Sequence, residues 1–218
     1  MKCADGIWFP DSETHLVEMV ARGPKVDGRG TYQYHKLDAA LRRVKKRRCA
    51  LDVGMHIGLW AMHLARQFDK VIGFEPVTEH IECLRLNMSG LKNYEVHHCA
   101  VGHQHAEVGL KFMHGSTGST QVIEGGTGVS MVKLDDFDFV NVDFIKIDVE
   151  NYEYFVVEGG ENIIKRHRPI IILEQKGDKT RKHKSVYGKE RHDAKLLLES
   201  WGARELFEMN GDHCMGWS

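Results

Sequence analysis

Two short segments most constrain the fold. Leu51-Asp-Val-Gly-Met-His-Ile-Gly58 reads as a strand running into a glycine turn that opens a helix, and Val71-Ile-Gly-Phe-Glu75-Pro76 reads as the next strand ending in an acid. Gly54 precedes Glu75 by 21 positions. That matches the interval of about 20 residues between a nucleotide-binding glycine turn and the carboxylate that takes the ribose hydroxyls. The two segments together predict a nucleoside site on a parallel α/β sheet.

Glycine spacing narrows the choice of nucleoside. A dinucleotide site needs a second glycine two residues after the first, so that backbone can approach a pyrophosphate. His56 stands there instead, and an imidazole would crowd a diphosphate. S-adenosylmethionine carries no phosphate and needs only a tight turn around its amino-acid tail, so the turn favours this sulfonium donor over NAD or FAD. Asp52, at the end of its strand, is placed to reach the donor's ammonium directly or through water. The predicted cofactor set is Asp52, Gly54, Met55, His56, Gly58, Glu75 and Pro76, joined by Ala100 and Asp148 after later strands.

Further along, the pattern alternates. A helix over 31–47 carries Tyr34, Leu37, Leu41 and Val44 on one face. Strands follow over 49–53, 70–75, 94–98, 142–148 and 168–174, with helices over 57–67, 77–89, 152–165 and 189–201. Two last strands, 203–209 and 212–217, meet at an Asn210-Gly211 hairpin turn. The expected architecture is α/β and Rossmann-like: a central, mostly parallel seven-stranded sheet flanked by helices, with a C-terminal antiparallel hairpin. Segments 107–113 and 129–134 add strands around Gly-, Ser- and Thr-rich loops. One domain over 1–218 is expected, made of an N-terminal extension with a helix (1–48), a cofactor-binding core (49–175), a basic loop (176–191) and a C-terminal helix with strands (192–218).

Overall charge names no partner, since 30 basic residues face 31 acidic ones. Five widely spaced cysteines, without a Cys-x-x-Cys pair, suggest buried thiols in a reducing compartment. The expectation is a cytoplasmic protein with no membrane span. Fourteen histidines are scattered, and no order of residues supplies three or four converging metal ligands, so no metal is expected.

In open α/β sheets ligands bind at the carboxyl ends of the strands. That rule selects Asp52, Glu75, Asp148, Glu150 and Glu174 from the acidic residues. It also places the basic run 42–48 at the opposite rim, where it suits a solvated helix end. Residues 176–191, with seven Lys or Arg against two acids, border the pocket instead. Lys146 and Asp148 share one face of an otherwise apolar strand, which is costly unless the charges pair. They read either as a tether between strands or as a catalytic pair.

Five ordered blocks now resemble the FkbM-type methyltransferases of the class I S-adenosylmethionine-dependent fold: 51–58, Gly73-Phe-Glu-Pro76, Leu134-Asp-Asp-Phe137, Phe144-Ile-Lys-Ile-Asp-Val-Glu150 with Tyr152-Glu153, and Pro169-Ile-Ile-Ile-Leu-Glu174. The chain departs from the family pattern at Met55-His56, where Ala-Asn is usual, and at Asn151, where glycine is usual. Asn tolerates the left-handed backbone the turn would need. His56 could replace the asparagine as a donor to the cofactor's carboxylate, or face the acceptor.

The resemblance implies O-methylation of a hydroxyl on a sugar or other small metabolite. Such a reaction requires collinear alignment of oxygen, methyl carbon and sulfur, and a base for the hydroxyl proton. Asp148 ranks first for that base, then Glu150, Glu174 and His56. The basic loop suggests an acceptor that is anionic, such as a phosphorylated sugar. The competing readings are a nucleic-acid (RNA or cap-like) methyltransferase and a non-catalytic cofactor-binding module. Nucleic acid is disfavoured because the two basic clusters lie on opposite rims and no base-amine signature follows the fourth strand.

Overall fold

The computed structural model describes residues 1–175 and 193–217. The chain opens with β1 (Lys2–Ala4) paired to β2 (Ile7–Phe9), then α1 (His15–Arg22), then β3 (Lys25–Val26) paired to β4 (Arg29–Gly30), then α2 (Tyr34–Leu41). The alternating core follows as β5 (Cys49–Val53), α3 (Ala61–Leu64), β6 (Lys70–Phe74), α4 (Thr78–Asn87) and β7 (Tyr94–His97). Next, β8 (Ala100–Val101), β9 (Ala106–Lys111), β10 (Gln121–Ile123) and β11 (Val129–Val132) form a separate small sheet in the order β10-β9-β11-β8. The core resumes with β12 (Val142–Ile147), α5 (Glu153–Glu158), α6 (Glu161–His167) and β13 (Ile170–Glu174). It closes with α7 (Ala194–Ser200), β14 (Arg204–Met209) and β15 (Asp212–Gly216).

The main sheet has seven strands in the order β14-β15-β13-β12-β5-β6-β7. β13, β12, β5, β6 and β7 run parallel, while β15 lies antiparallel to both neighbours. This is the expected sheet, and its strand order reverses between β5 and β12. A crevice opens at such a switch point, on the carboxyl side of the strands.

Period-2 alternation divides the core into two layers. Ala50, Val71, Phe144, Ile172 and Cys214 pack toward the N-terminal elements and α4. Leu51, Ile72, Ile145, Ile171 and Met215 pack on the other face, toward α5, α6 and α7. Asp52 and Lys146 fall on the first face by the same alternation, directly opposite one another in the β5–β12 register. At the hairpin, Asn210 (φ 53°) and Gly211 (φ 87°) both take the left-handed conformation that a tight two-residue turn requires.

Three helices differ from their sequence patterns, each for a physical reason. The one expected over 31–47 stops at Leu41, because the basic run 42–48 would stack like charges one turn apart. Arg48 instead donates to both oxygens of Asp143, at 2.8 and 2.5 Å, across the amino rim of the sheet. The segment expected as a helix over 57–67 is α-helical only at α3, and its other turns mix three- and four-residue hydrogen bonds, as in His63 N–H to Trp60 O and Phe68 N–H to Leu64 O. Segment 152–165 breaks at Gly159-Gly160, where a Cβ on Gly159 would lie 1.9 Å from the Gly102 carbonyl oxygen. α7 is capped by Asp193, whose side chain accepts from Leu196 N–H at 3.0 Å, and residues 189–192 of the expected helix lie outside the described residues.

One buried contact joins the N-terminal extension to the C-terminal hairpin. Lys36 Nζ lies 2.5 Å from Asp212 Oδ2, and both side chains are almost wholly shielded from water. Burial pushes the Asp212 carboxyl up from its ordinary value, and Lys36 draws it back. Removing one partner strands a charge, whereas removing both does not. Lys36→Met should therefore cost roughly 3 kcal/mol in urea unfolding. Adding Asp212→Leu should restore most of that loss, and a double variant as unstable as the single one would show that the pair is not the source.

Candidate active site

The turn after β5 is built by close approach. Gly54 (φ 80°) packs its α-carbon against β12, and a Cβ there would sit 1.9 Å from the Asp148 carbonyl oxygen. Its N–H and that of Met55 both donate to Phe74 O, at 3.1 and 3.0 Å. His56 then turns left-handed (φ 50°), which aims its own N–H at Glu75 Oε2, 2.8 Å away.

Glu75 is buried at the end of β6. Oε1 accepts from Val77 N–H at 3.0 Å and from His80 Nδ1 at 2.9 Å. An ionised carboxylate offers about four acceptor positions. Three are used within the chain, which leaves one on Oε2.

Lys146 organises the other side. Its ammonium donates to Gly54 O at 2.8 Å, and lies 3.2 Å from Asp52 Oδ1 and 3.7 Å from Asp148 Oδ2. Burial alone would lower its pKa, but the two carboxylates raise it and hold the charge. Asp52 is fully buried beneath this ammonium, and neither of its oxygens has an aligned hydrogen bond among the described residues. Asp52 lies outside the cavity lining, and so does Gly58, whose α-carbon faces Leu84 and Met88.

The cavity itself has a volume of about 210 Å³. Met55, His56, Glu75, Pro76, Ala100 and Asp148 line it, and Glu150 and Glu174 stand at the same wall. Asp148, Glu150 and Glu174 present carboxylate oxygens within 4.8 Å of one another. Sequence order offers no such set, because the third acid comes from a different strand. The three could hold a divalent cation.

The loop carrying two of these acids is strained and clasped. Glu150 (φ 54°) and Asn151 (φ 79°) are both left-handed. Glu153 Oε1 accepts from Val149 N–H at 3.1 Å and Asn151 N–H at 3.2 Å, fastening the loop to the start of α5. Burial pushes the Glu153 carboxyl up to about 8, with Asp148 and Glu174 adding to the rise.

Several cavity residues escape sequence reasoning because they come from outside the core. His15, Leu16, Tyr32 and Gln33 belong to the N-terminal extension, and Ser116 to Thr120 to the turn between β9 and β10. Thr14 and His15 N–H both donate to Gly115 O, so these two segments dock over the crevice. The Gly-Ser-Thr composition of 114–120 is the one sequence signal for this wall. The basic run 176–191 lies outside the described residues. No helix among the described residues is long and apolar enough to cross a membrane.

This arrangement defines a class I methyltransferase fold with a crevice at the carboxyl ends of its parallel strands. The Methyltransferase FkbM domain model matches residues 52–204, and the chain belongs to that family. Among solved structures, methyltransferase FkbM from Methylobacillus flagellatus KT is 18% identical, with a TM-score of 0.50, over 79% of this chain and 44% of that one. A ribosomal protein L11 methylase from Lactobacillus delbrueckii subsp. bulgaricus is 10% identical, with a TM-score of 0.55, over 87% of this chain and 80% of that one. A precorrin-6y C5,15-methyltransferase from Geobacter metallireducens GS-15 is 12% identical, with a TM-score of 0.50, over 92% and 96%. The chain spans less than half the length of the first of these. No curated protein sequence matches it.

The Glu153 clasp has a pH signature. The folded carboxyl keeps its proton up to about 8, whereas the unfolded one releases it near 4.5. Between these values the folded state holds the extra proton, so stability is fully present below the lower value and falls as pH rises through the upper one. Glu153→Gln keeps an oxygen for the two N–H donors. Its melting temperature should change less than the wild type's between pH 5 and pH 9, by roughly 5 °C. Parallel curves for the two proteins would remove Glu153 as the titrating group.

Proposed function

We propose that the protein is an S-adenosylmethionine-dependent O-methyltransferase acting on a hydroxyl of a small, polyhydroxylated acceptor. The observation that carries this reading is the wall of carboxylates: Glu75, Asp148, Glu150 and Glu174 line one cavity, and their oxygens are acceptors suited to the hydroxyls of a ribose and of a polyhydroxylated acceptor.

The residues fit the donor. The open position on Glu75 Oε2 can take a ribose hydroxyl, and Met55, Pro76 and Ala100 supply apolar wall. When bound, the donor supplies an activated methyl group on a positively charged sulfur. Lys146 holds the Gly54 carbonyl and the Asp148 carboxylate in one array, so that cofactor turn and acceptor wall keep a set spacing.

Asp148, Glu150 and Glu174 accept hydrogen bonds, which suits neighbouring hydroxyls such as those of a sugar. Asp148 ranks first for holding the reacting hydroxyl, because the Lys146 ammonium fixes it from behind. The basic run 176–191 follows directly on β13 in sequence, and its cations would serve an anionic substituent on the acceptor.

Asp148→Asn should leave donor affinity within about twofold in calorimetric titration and reduce turnover roughly a hundredfold. Product mass, scanned over pooled sugars and sugar phosphates, reports the transferred methyl. Unchanged turnover in the variant, or methylation confined to amines, would refute this assignment.

A further inference from the structure

A hydrogen-bonded chain runs from the crevice into the N-terminal extension. His56 Nε2 lies 2.9 Å from Thr117 Oγ1. Thr117 Oγ1 lies 2.6 Å from Glu13 Oε2, which also accepts Thr117 N–H at 2.7 Å. Glu13 is fully buried, and its other oxygen accepts Leu16 N–H at 2.8 Å.

Proton counting sets the direction of this chain. A threonine hydroxyl has one proton, and an ionised carboxylate can only accept. The Thr117 proton therefore goes to Glu13, and Thr117 Oγ1 receives its hydrogen bond from His56. Nε2 carries the imidazole proton, and Nδ1 keeps a lone pair. Among the described residues no hydrogen bond occupies Nδ1, and His56 lines the cavity.

We infer that Glu13 and Thr117 are positioning residues that lock His56 in this tautomer and make its Nδ1 the acceptor of the substrate hydroxyl's proton, an inference that rests on the hydroxyl-methylating function proposed above. The bare nitrogen cannot donate to the cofactor's carboxylate, which removes one of the two roles open to His56. Burial, with His80 and Lys146 adding, holds the imidazole well below its usual range, so the lone pair is free at neutral pH.

The step balances. The acceptor oxygen bonds to the methyl carbon as the carbon–sulfur pair returns to sulfur, and the hydroxyl proton passes to Nδ1. The resulting imidazolium donates through Thr117 toward the Glu13 carboxylate, which offsets its charge, and later gives its proton to solvent. Asp148 holds the hydroxyl and His56 takes its proton, so the two residues do different work.

The N-terminal extension is thereby part of the active site, since Glu13 precedes the core by more than thirty residues. Thr117→Val removes only the hydroxyl. Glu13 keeps Thr117 N–H and Leu16 N–H, so the docked segments should hold.

The test reads the tautomer in the donor-free full chain by nitrogen-15 NMR of labelled histidines, with His56→Gln identifying the signal. The wild type should show protonated Nε2 and bare Nδ1, and Thr117→Val should shift His56 toward a tautomer mixture. The same variant should lower kcat about tenfold to a hundredfold with donor affinity and melting temperature unchanged, and Thr117→Ser should restore both signal and rate. A protonated Nδ1 in the wild type overturns the inference whether or not a methylated product is found. Loss of donor affinity in Thr117→Val with kcat unchanged also overturns it, assigning Nδ1 to the donor's ammonium. Failure of the wild type to methylate any hydroxyl overturns the proposed function itself, and with it the catalytic role, while leaving the tautomer result legible.

Discussion

The Lys146 ammonium is the contact on which the rest of the site depends. It sits where β5 and β12 part, and three oxygens from three different positions converge on it: Gly54 O, Asp52 Oδ1 and Asp148 Oδ2. A buried charge of this kind is costly unless its partners surround it. Here the cost is offset by what the ion organises, because the glycine turn and the acidic wall are fastened to the same atom. Asp52 is buried beneath this ammonium and lies outside the cavity lining.

Around that centre the molecule closes its crevice with segments from far apart in sequence. α2 is held to β15 by Lys36 and Asp212, and residues 13–16 are held to the turn at 115–117 by five hydrogen bonds, three to Gly115 O and two to Glu13 Oε2. The parallel core supplies one wall of the crevice, and these attached segments supply another. That division follows a general rule of α/β proteins, in which a rigid sheet carries variable loops that set specificity.

The sheet was legible in the sequence because its signals are local. Apolar alternations and runs mark the strands, Asn210-Gly211 marks the hairpin, and the carboxyl-end rule selects Asp52, Glu75, Asp148, Glu150 and Glu174, of which the last four line one cavity while Asp52 lies beneath Lys146. Helix lengths were less legible, since 42–48 and 57–67 keep a helical pattern while charge repulsion and mixed hydrogen bonding cut the helices short. The second-tier contacts could not be read at all. Thr117 meets His56 across 61 residues, and Glu13 meets Thr117 across 104. No periodicity links positions so distant. A register pair such as Asp52 opposite Lys146 becomes visible only once β5 and β12 are known to be neighbours.

The departure from the family pattern at Met55-His56 behaves as a coupled unit. Met55 is buried with its sulfur against Gly73, where a Cβ would lie 2.0 Å away, so this side chain demands a glycine on the neighbouring strand. His56 stands left-handed, a conformation that costs a non-glycine residue about 1 to 2 kcal/mol. Its backbone N–H to Glu75 and its ring contact to Thr117 offset that cost. Each of the two residues thus has its own contact in this structure, Met55 with Gly73 and His56 with Thr117. A His56 side chain alone would be a crowded substitution in a cofactor turn. With Thr117 and Glu13 behind it, the same imidazole has one nitrogen spoken for and the other turned over to chemistry.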